Sequence, residues 1–493
     1  MSTAKKFAGQ TAVYGITTIA GRTLSFFLTY IYTRAYPTHI YGIFGTMFAW
    51  ASMLNSLLAF GMETTFFRYL NKRSDSKNLV FNNSFGVIFM ITVLFLTCTV
   101  PFIPQISQWI RVDQSTSSGD YERYVKYFLI ILVTDAWCVI PFAKLRAEGR
   151  PGRFGILKLT NILVFIGLNL AFIYVIPYLV RNQLPGSHWI QTWFRQGWLG
   201  YVFLSNVIAS CITLLMLAPE ILKLRPRFDP AMVKEMLLYS WPVLIANFSF
   251  IINENLDKIL IGKLLPPSIS SSELGIYSGC AKIAIFLNLF VQAFRLGAEP
   301  FFFNYAKNAN AGNTYAKIMN YFVIIMSVIY VGLVANIEIL KHFISDDYWS
   351  GLGVVPLLLF GYVSLGVYMN LSIWYKLSDQ TRYGLYISAT GAIITVVLNV
   401  ILIPHYSYMA AAWVSLIAYS SMMVLSYLWG QKNYPIPYNL KKNLVYILAS
   451  ALTVYLSFSV FKRNIFAGNA LLIVFISVTL YFEKKEITAI LKK

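Results

Sequence analysis

Long apolar runs recur along the chain, each bounded by short polar stretches rich in Lys, Arg, Pro, Asn or Ser. They lie near residues 10–33, 39–66, 79–104, 124–145, 154–177, 197–218, 237–264, 274–303, 317–340, 351–375, 383–403, 408–429, 442–461 and 464–482. A helix of roughly 20 apolar residues crosses a bilayer core, whereas a barrel strand needs only about 9–11. The runs match the first length and exceed the second. The pattern therefore predicts an all-α polytopic membrane protein of about fourteen transmembrane helices.

Composition agrees. Over the 493 residues, 57% are hydrophobic and 12% are charged. An ordinary soluble domain carries about 25% charged residues. Disorder, a collagen-like chain and a soluble globule are excluded. Aromatics reach 16%, which suits belts at the two membrane interfaces. The four cysteines, Cys98, Cys138, Cys211 and Cys280, lie inside apolar runs and read as small packing residues. The chain opens Met1-Ser2-Thr3-Ala4-Lys5-Lys6 and runs on without a small-residue cleavage site, so the first run reads as a span.

The net charge of +20 changes the picture in one respect. On a soluble chain it would suggest nucleic acid, but no segment here is polar enough to form a basic module. Cytoplasmic loops explain it better. With the N-terminus inside, 26 Lys and Arg fall in inner segments and 10 in outer ones. Basic residues favour the cytoplasmic side, so both termini are expected there. The outer loops around 105–123 and 178–196 are the longest, and Trp189, Trp193 and Trp198 suit an interfacial anchor.

The chain also repeats. Arg153-Phe154-Gly155 with Asn169 recurs as Arg382-Tyr383-Gly384 with Asn399. Tyr41-Gly42-Ile43-Phe44 recurs as Leu274-Gly275-Ile276-Tyr277. The offsets all lie near 230 residues, and six spans separate the copies. Both copies thus have the same orientation, as in a parallel transporter repeat. The expected organisation is a six-helix lobe over 1–218, a basic cytoplasmic linker over 219–236, a second six-helix lobe over 237–430, and two additional helices with a tail over 431–493.

Candidate chemistry lies in charges within the spans. No catalytic constellation, Walker A sequence or HExxH motif occurs, and no cofactor or metal is expected. His39, His188, His342 and His405 fall in expected outer loops. Ionisable groups in a membrane usually face the bundle interior or a wet cavity. Arg22 and Asp135 are central in the first and fourth spans without local partners. They could pair with each other, or Arg22 could face substrate. Glu254 and Lys258 are spaced i,i+4, with Asp257 beside them, and so are Arg295 and Glu299. Each set could neutralise itself along one helix face. Lys282 has no acid within a turn and is a cavity candidate. Asn55, Asn247, Asn253, Asn288, Asn370 and Asn399 add hydrogen-bonding groups, as interhelical ties or as sugar contacts.

With this layout the chain resembles the polysaccharide flippase family of the multidrug/oligosaccharidyl-lipid/polysaccharide exporter superfamily. The matching segments are Arg22 through Tyr30-Ile31-Tyr32-Thr33-Arg34 with Tyr41-Gly42, Arg146-Ala147-Glu148-Gly149-Arg150, Asp257-Lys258, and Gly275-Ile276-Tyr277-Ser278 with Ala281-Lys282. The resemblance implies two lobes facing a central cationic cavity and alternating access. It implies a substrate, an undecaprenyl-diphosphate-linked oligosaccharide, moved from the cytoplasmic to the outer leaflet of a bacterial inner membrane for lipopolysaccharide or other cell-surface polysaccharide. It implies no enzymatic step. Membrane lipids and other polysaccharide-assembly proteins are the partners it suggests, and nucleic acid is not. In related flippases of peptidoglycan precursors a basic residue in the first span serves the cavity, and Arg22 is the matching position; Lys282 and Arg295 match more loosely. An extruder of drugs or toxic compounds with the same fold, driven by protons or sodium, is the alternative, and acidic cavity walls would favour it.

Overall fold

The computed structural model describes residues 24, 26–224, 228–306, 308 and 310–491. Among these there is no strand, and eleven helices are long and apolar enough to cross a membrane. The chain is a multi-pass helical membrane protein. The difference from the fourteen expected runs has three local causes. The first run falls largely outside the described residues, of which 26–35 are helical. The sixth is an apolar helix of 17 residues, Gly200–Met216, slightly short of a full span. The eleventh and twelfth runs form one helix, Arg382–Asn433, of 52 residues. At 1.5 Å per residue that is about 78 Å, far more than one crossing. It is broken at Ser407 (φ 50°, ψ −142°), three residues after Pro404. Pro removes a helical hydrogen bond there, which lets the two arms part.

Two compact units divide the chain, Met1–Gly275 and Ile276–Lys493. In the first, the helices are α1 (Thr38–Ala59), α2 (Met62–Lys72), α3 (Lys77–Thr99), α4 (Ile103–Ile110), α5 (Ser118–Ala147), α6 (Pro151–Leu170), α7 (Gly200–Met216) and α8 (Pro230–Leu264). Phe60 and Gly61 both have positive φ and bend the second expected span between α1 and α2. The start of α5 is capped by Ser117, whose hydroxyl accepts the Asp120 N–H at 3.1 Å. Asp229 caps α8 in the same way through the N–H groups of Ala231 and Met232, with Pro230 at the first helical position. Helix α1 packs on α8 and α5, and α7 packs on α5 and α6. Ala49, Met53 and Ile259 form the α1–α8 core, while Phe142, Leu157 and Leu217 knit α5 and α6 to the segment after α7.

Helix α9 (Ser270–Tyr305) begins in the first unit and continues in the second. Its first turns lie against α1. A Cβ at Gly275 would overlap the Thr38 carbonyl oxygen, and one at Gly42 would overlap that of Ser271. The two backbones can touch only because both residues lack a side chain. Thr38 and Ser272 share a hydroxyl hydrogen bond of 2.8 Å at the same crossing.

The second unit contains α10 (Ala311–Ala335), α11 (Val354–Leu371), α12 (Ile373–Leu377), α13 (Arg382–Asn433), α14 (Leu440–Tyr455) and α15 (Ile465–Leu491). Helices α11 and α13 pack along much of their length, and α14 and α15 pack on α10. Phe302, Tyr315, Ile373 and Ile436 form a core that joins the ends of α9 and α10 to α12 and the segment before α14. The last two helices are tied by Glu483, which accepts hydrogen bonds from Lys442 Nζ at 2.6 Å and Tyr446 Oη at 2.8 Å.

Candidate functional site

In-membrane charges appear in both units, and their partners differ from those suggested by spacing. In the first unit Asp135, on α5, accepts a hydrogen bond from Ser210 Oγ of α7 at 2.8 Å. Lys158 of α6 also acts electrostatically on it. The expected partner, Arg22, lies outside the described residues. Lys158 is half-buried within α6, its ammonium 4.2 Å from the Phe142 ring centroid. It sits one turn inside an apolar run, where a lysine stem can lie along the helix, so the spacing of in-span charges does not single it out.

On α8 the Lys258 ammonium donates to the backbone carbonyl of Glu254 at 2.8 Å and to Asp257 Oδ1 at 3.1 Å. The i,i+4 spacing thus brings Lys258 to the Glu254 main chain and to the adjacent acid. Asp257 and Asn253 are buried, and Asn255 donates a long hydrogen bond of 3.4 Å to Ser52 Oγ on α1.

The second unit holds a recess at one end of α9, bordered by Val291, Arg295, Glu299, Gly366, Asn370 and Lys376 among others. It is partly open to solvent, with enclosed room for about one water molecule. Three features define its chemistry. Glu299 Oε1 accepts a hydrogen bond from Lys376 Nζ at 2.6 Å, so the acid of α9 is held by α12 and not by Arg295 one turn away. The reason is packing: Ile373 at the start of α12 shares a core with Phe302 at the end of α9, which places Lys376 within reach of Glu299. Arg295 is exposed and makes no ion pair among the described residues. Asn370 is 3% exposed, and neither its Nδ2 nor its Oδ1 has a hydrogen-bond partner among the described residues.

The sequence explains why these groups meet. Gly366 lets α11 approach, since a Cβ there would press into the Phe322 ring and Val291. One turn later α11 ends at Leu371, and Ser372 closes the turn through its N–H to the Tyr368 carbonyl at 2.8 Å. Asn370 thus lies in the last turn of α11. Lys282 is half-buried on α9, thirteen residues before Arg295. The recess thus brings together Arg295 and Glu299 of the expected site residues, and adds Lys376 and Asn370. A planar guanidinium can take two oxygens of a phosphate, and a carboxamide can donate and accept at once.

Residues 199–352 match a family model described as Polysaccharide biosynthesis protein. No curated protein matches the chain by sequence. Among solved structures, a lipid II flippase, MurJ, in an inward closed conformation superposes with a TM-score of 0.72 at 14% identity, covering 97% of this chain and 100% of that one. An inward-facing multidrug resistance MATE family transporter of the MOP superfamily gives 0.59 at 13% identity, covering 84% and 94%. A MATE protein in the straight conformation gives 0.57 at 14% identity, covering 87% and 95%. The chain has the MurJ and MATE fold over nearly its whole length.

Proposed function

We propose that the chain is a flippase that carries an undecaprenyl-diphosphate-linked oligosaccharide from the cytoplasmic to the outer leaflet of the bacterial inner membrane, by alternating access, for lipopolysaccharide or other cell-surface polysaccharide. The observation that carries this reading is Arg295, a cation in the recess of the second unit without an ion pair among the described residues. An uncompensated guanidinium suits a lipid diphosphate, because it stays ionised and binds phosphate oxygens through two parallel hydrogen bonds. The polysaccharide-biosynthesis match and the flippase-like fold support the same substrate class. Arg22 and Lys282 are assigned to the substrate with Arg295. Asp135, Glu254, Asp257, Lys258 and Glu299 are assigned to ion pairing or coupling. The protein makes and breaks no bond; it binds one substrate on two sides, so net transport needs an ion gradient or removal of product.

The acidic groups Asp135, Glu254 and Asp257 favour the second reading, a proton- or sodium-driven drug extruder. The two separate in a strain lacking its own flippase. Surface glycan should return with the intact chain and fail with Arg295→Ala or Arg22→Ala at normal membrane level. Arg295→Lys should restore part of it, since charge remains but the planar fork is lost. Full export by the double variant Arg22→Ala, Arg295→Ala would remove the cationic site, and resistance to cationic drugs without glycan export would establish the extruder.

A further inference from the structure

The segment Arg146-Ala147-Glu148-Gly149-Arg150 forms the turn between α5 and α6 in the first unit. Gly149 has φ 64°, and the N–H groups of Gly149 and Arg150 donate to the carbonyls of Arg146 and Leu145 at 3.1 and 3.0 Å. A glycine closes a helix C-terminus in this way. Pro151 then opens α6 at its first helical position. Backbone closes the turn, so its charged side chains are not needed for that purpose.

Those side chains gather around one buried acid. Glu220, in the segment after α7, accepts from Arg153 Nη2 at 2.8 Å and from Arg150 Nη1 at 3.3 Å. Glu148 accepts from the same Arg150 nitrogen at 3.4 Å, and the Met216 carbonyl from the same Arg153 nitrogen at 3.4 Å. Each guanidinium is thus engaged through one nitrogen, which leaves its other N–H groups for a further acceptor. Both arginines are only half-buried, so an acceptor can reach them. Lys144, near the end of α5, lies within electrostatic reach of Lys223, Arg150, Glu148 and Glu220. Lys144 and Lys223 make no ion pair among the described residues. Four cations, Lys144, Arg150, Arg153 and Lys223, therefore surround two acids, Glu148 and Glu220, an excess of two positive charges. Like charges held so close repel one another unless an anion joins them. In the same stretch, Leu215 and Leu222 are 71% and 82% exposed. Excess cation next to exposed leucine suits the level of a bilayer where acyl chains give way to phosphate.

We infer that the α5–α6 turn and the segment after α7 form a binding site for the headgroup of a membrane lipid carrying two phosphate charges. Arg150 and Arg153 hold the phosphate oxygens, and Glu220 is their positioning residue. Lys144 and Lys223 supply the remaining charge, and Leu215 and Leu222 meet the chains. Two kinds of lipid have this chemistry, a polyprenyl diphosphate and a phospholipid with two phosphates such as cardiolipin. The inference stands apart from the flippase reading, because the phospholipid satisfies it equally well.

The test measures equilibrium binding to the full chain in detergent, with cardiolipin, undecaprenyl diphosphate, phosphatidylcholine and inorganic pyrophosphate as probes. The undecaprenyl diphosphate arm is run on Arg295→Ala, so that the recess of the second unit does not contribute. At least one of the two anionic lipids should bind about tenfold or more tighter than phosphatidylcholine and pyrophosphate, and the tighter of the two names the occupant. Lys144→Gln with Lys223→Gln should weaken that lipid about thirtyfold, the worth of two basic residues at a lipid surface. The thermal midpoint should not change, because neither lysine holds an acid. Arg150→Lys should also weaken it, since charge remains but the planar fork is lost. Glu220→Gln adds a positive charge, yet it should weaken binding too, because it releases the two arginines. Equal affinity for phosphatidylcholine, equal affinity for pyrophosphate, or unchanged binding in the lysine double variant overturns the site. Tighter binding in Glu220→Gln makes it an unspecific basic surface and overturns it as well.

Discussion

Asn169 and Asn399 are both buried asparagines in apolar helices, yet one is fully engaged and the other has no hydrogen-bond partner among the described residues. Residue identity alone therefore does not settle what a polar group in a membrane helix does; its neighbours settle it. Asp113 shows the same outside the membrane, in the loop between α4 and α5. Burial tends to raise its carboxyl, but hydrogen bonds from the Ser115 and Thr116 hydroxyls and the Thr116 N–H, with His39 nearby, bring it below the ordinary carboxylate value. A depressed carboxyl contributes stability above its unfolded value and loses it as pH falls through the folded one. The loop should hold its order at neutral pH and open below about pH 4. Hydrogen exchange at residues 111–117 between pH 3 and 7 reads this, and Asp113→Asn should flatten the profile while loosening the loop at pH 7 by about 1 kcal/mol.

At the scale of elements, two contacts invite direct tests. The crossing of α1 and α9 depends on Gly42 and Gly275. Gly275→Val must drive the helices apart and should cost at least about 1–3 kcal/mol, read as a lower thermal midpoint and less protein in the membrane. Gly297, where a Cβ meets open space, should tolerate Ala and serves as the control. The second contact is Glu299–Lys376. The pair is about a third exposed, 31% on Lys376 and 36% on Glu299. Lys376→Met should then cost about 1–2 kcal/mol, less than the 3–5 of a fully buried pair. The double change Lys376→Met, Glu299→Gln should recover most of the loss. Arg295→Ala should leave the midpoint nearly unchanged, since it strands no acid. Equal destabilisation by Arg295→Ala and Lys376→Met would show that Glu299 is shared between them.

For the whole molecule, orientation is the feature that the charge pattern addresses most directly. Both termini and the segment around Arg225 should face the cytoplasm, and the Trp189 loop should face outward. Single cysteines at positions 189 and 225, in a background without the native four, should react with a membrane-impermeant maleimide from outside only at 189. Labelling at 225 in intact cells would invert the topology, and with it the direction of transport.

Apolar run length fixed the helical membrane fold, because lipid leaves no alternative way to satisfy the backbone. The same runs located ten of the eleven membrane-length helices one to one, and the eleventh as two adjacent runs. The break at Ser407 falls in the gap between the runs 383–403 and 408–429, whereas the bend at Phe60-Gly61 lies inside one apolar run and depends on backbone angles that the pattern conceals. Charge spacing marked Arg295 and Glu299 as one helical pair, a local rule that ignores what a neighbouring helix supplies. Only the packed structure brought Lys376 to Glu299 and left Arg295 beside Asn370. Asn370 was one of six asparagines in the sequence reading, and nothing in its local sequence separated it from the others. What surrounds it, including the close approach of Phe322 and Val291 at Gly366 one turn earlier, is a property of tertiary packing. Periodicity is written along one chain, so the sequence determined the elements; partnership depends on residues far apart in it, so the tertiary structure decided the site.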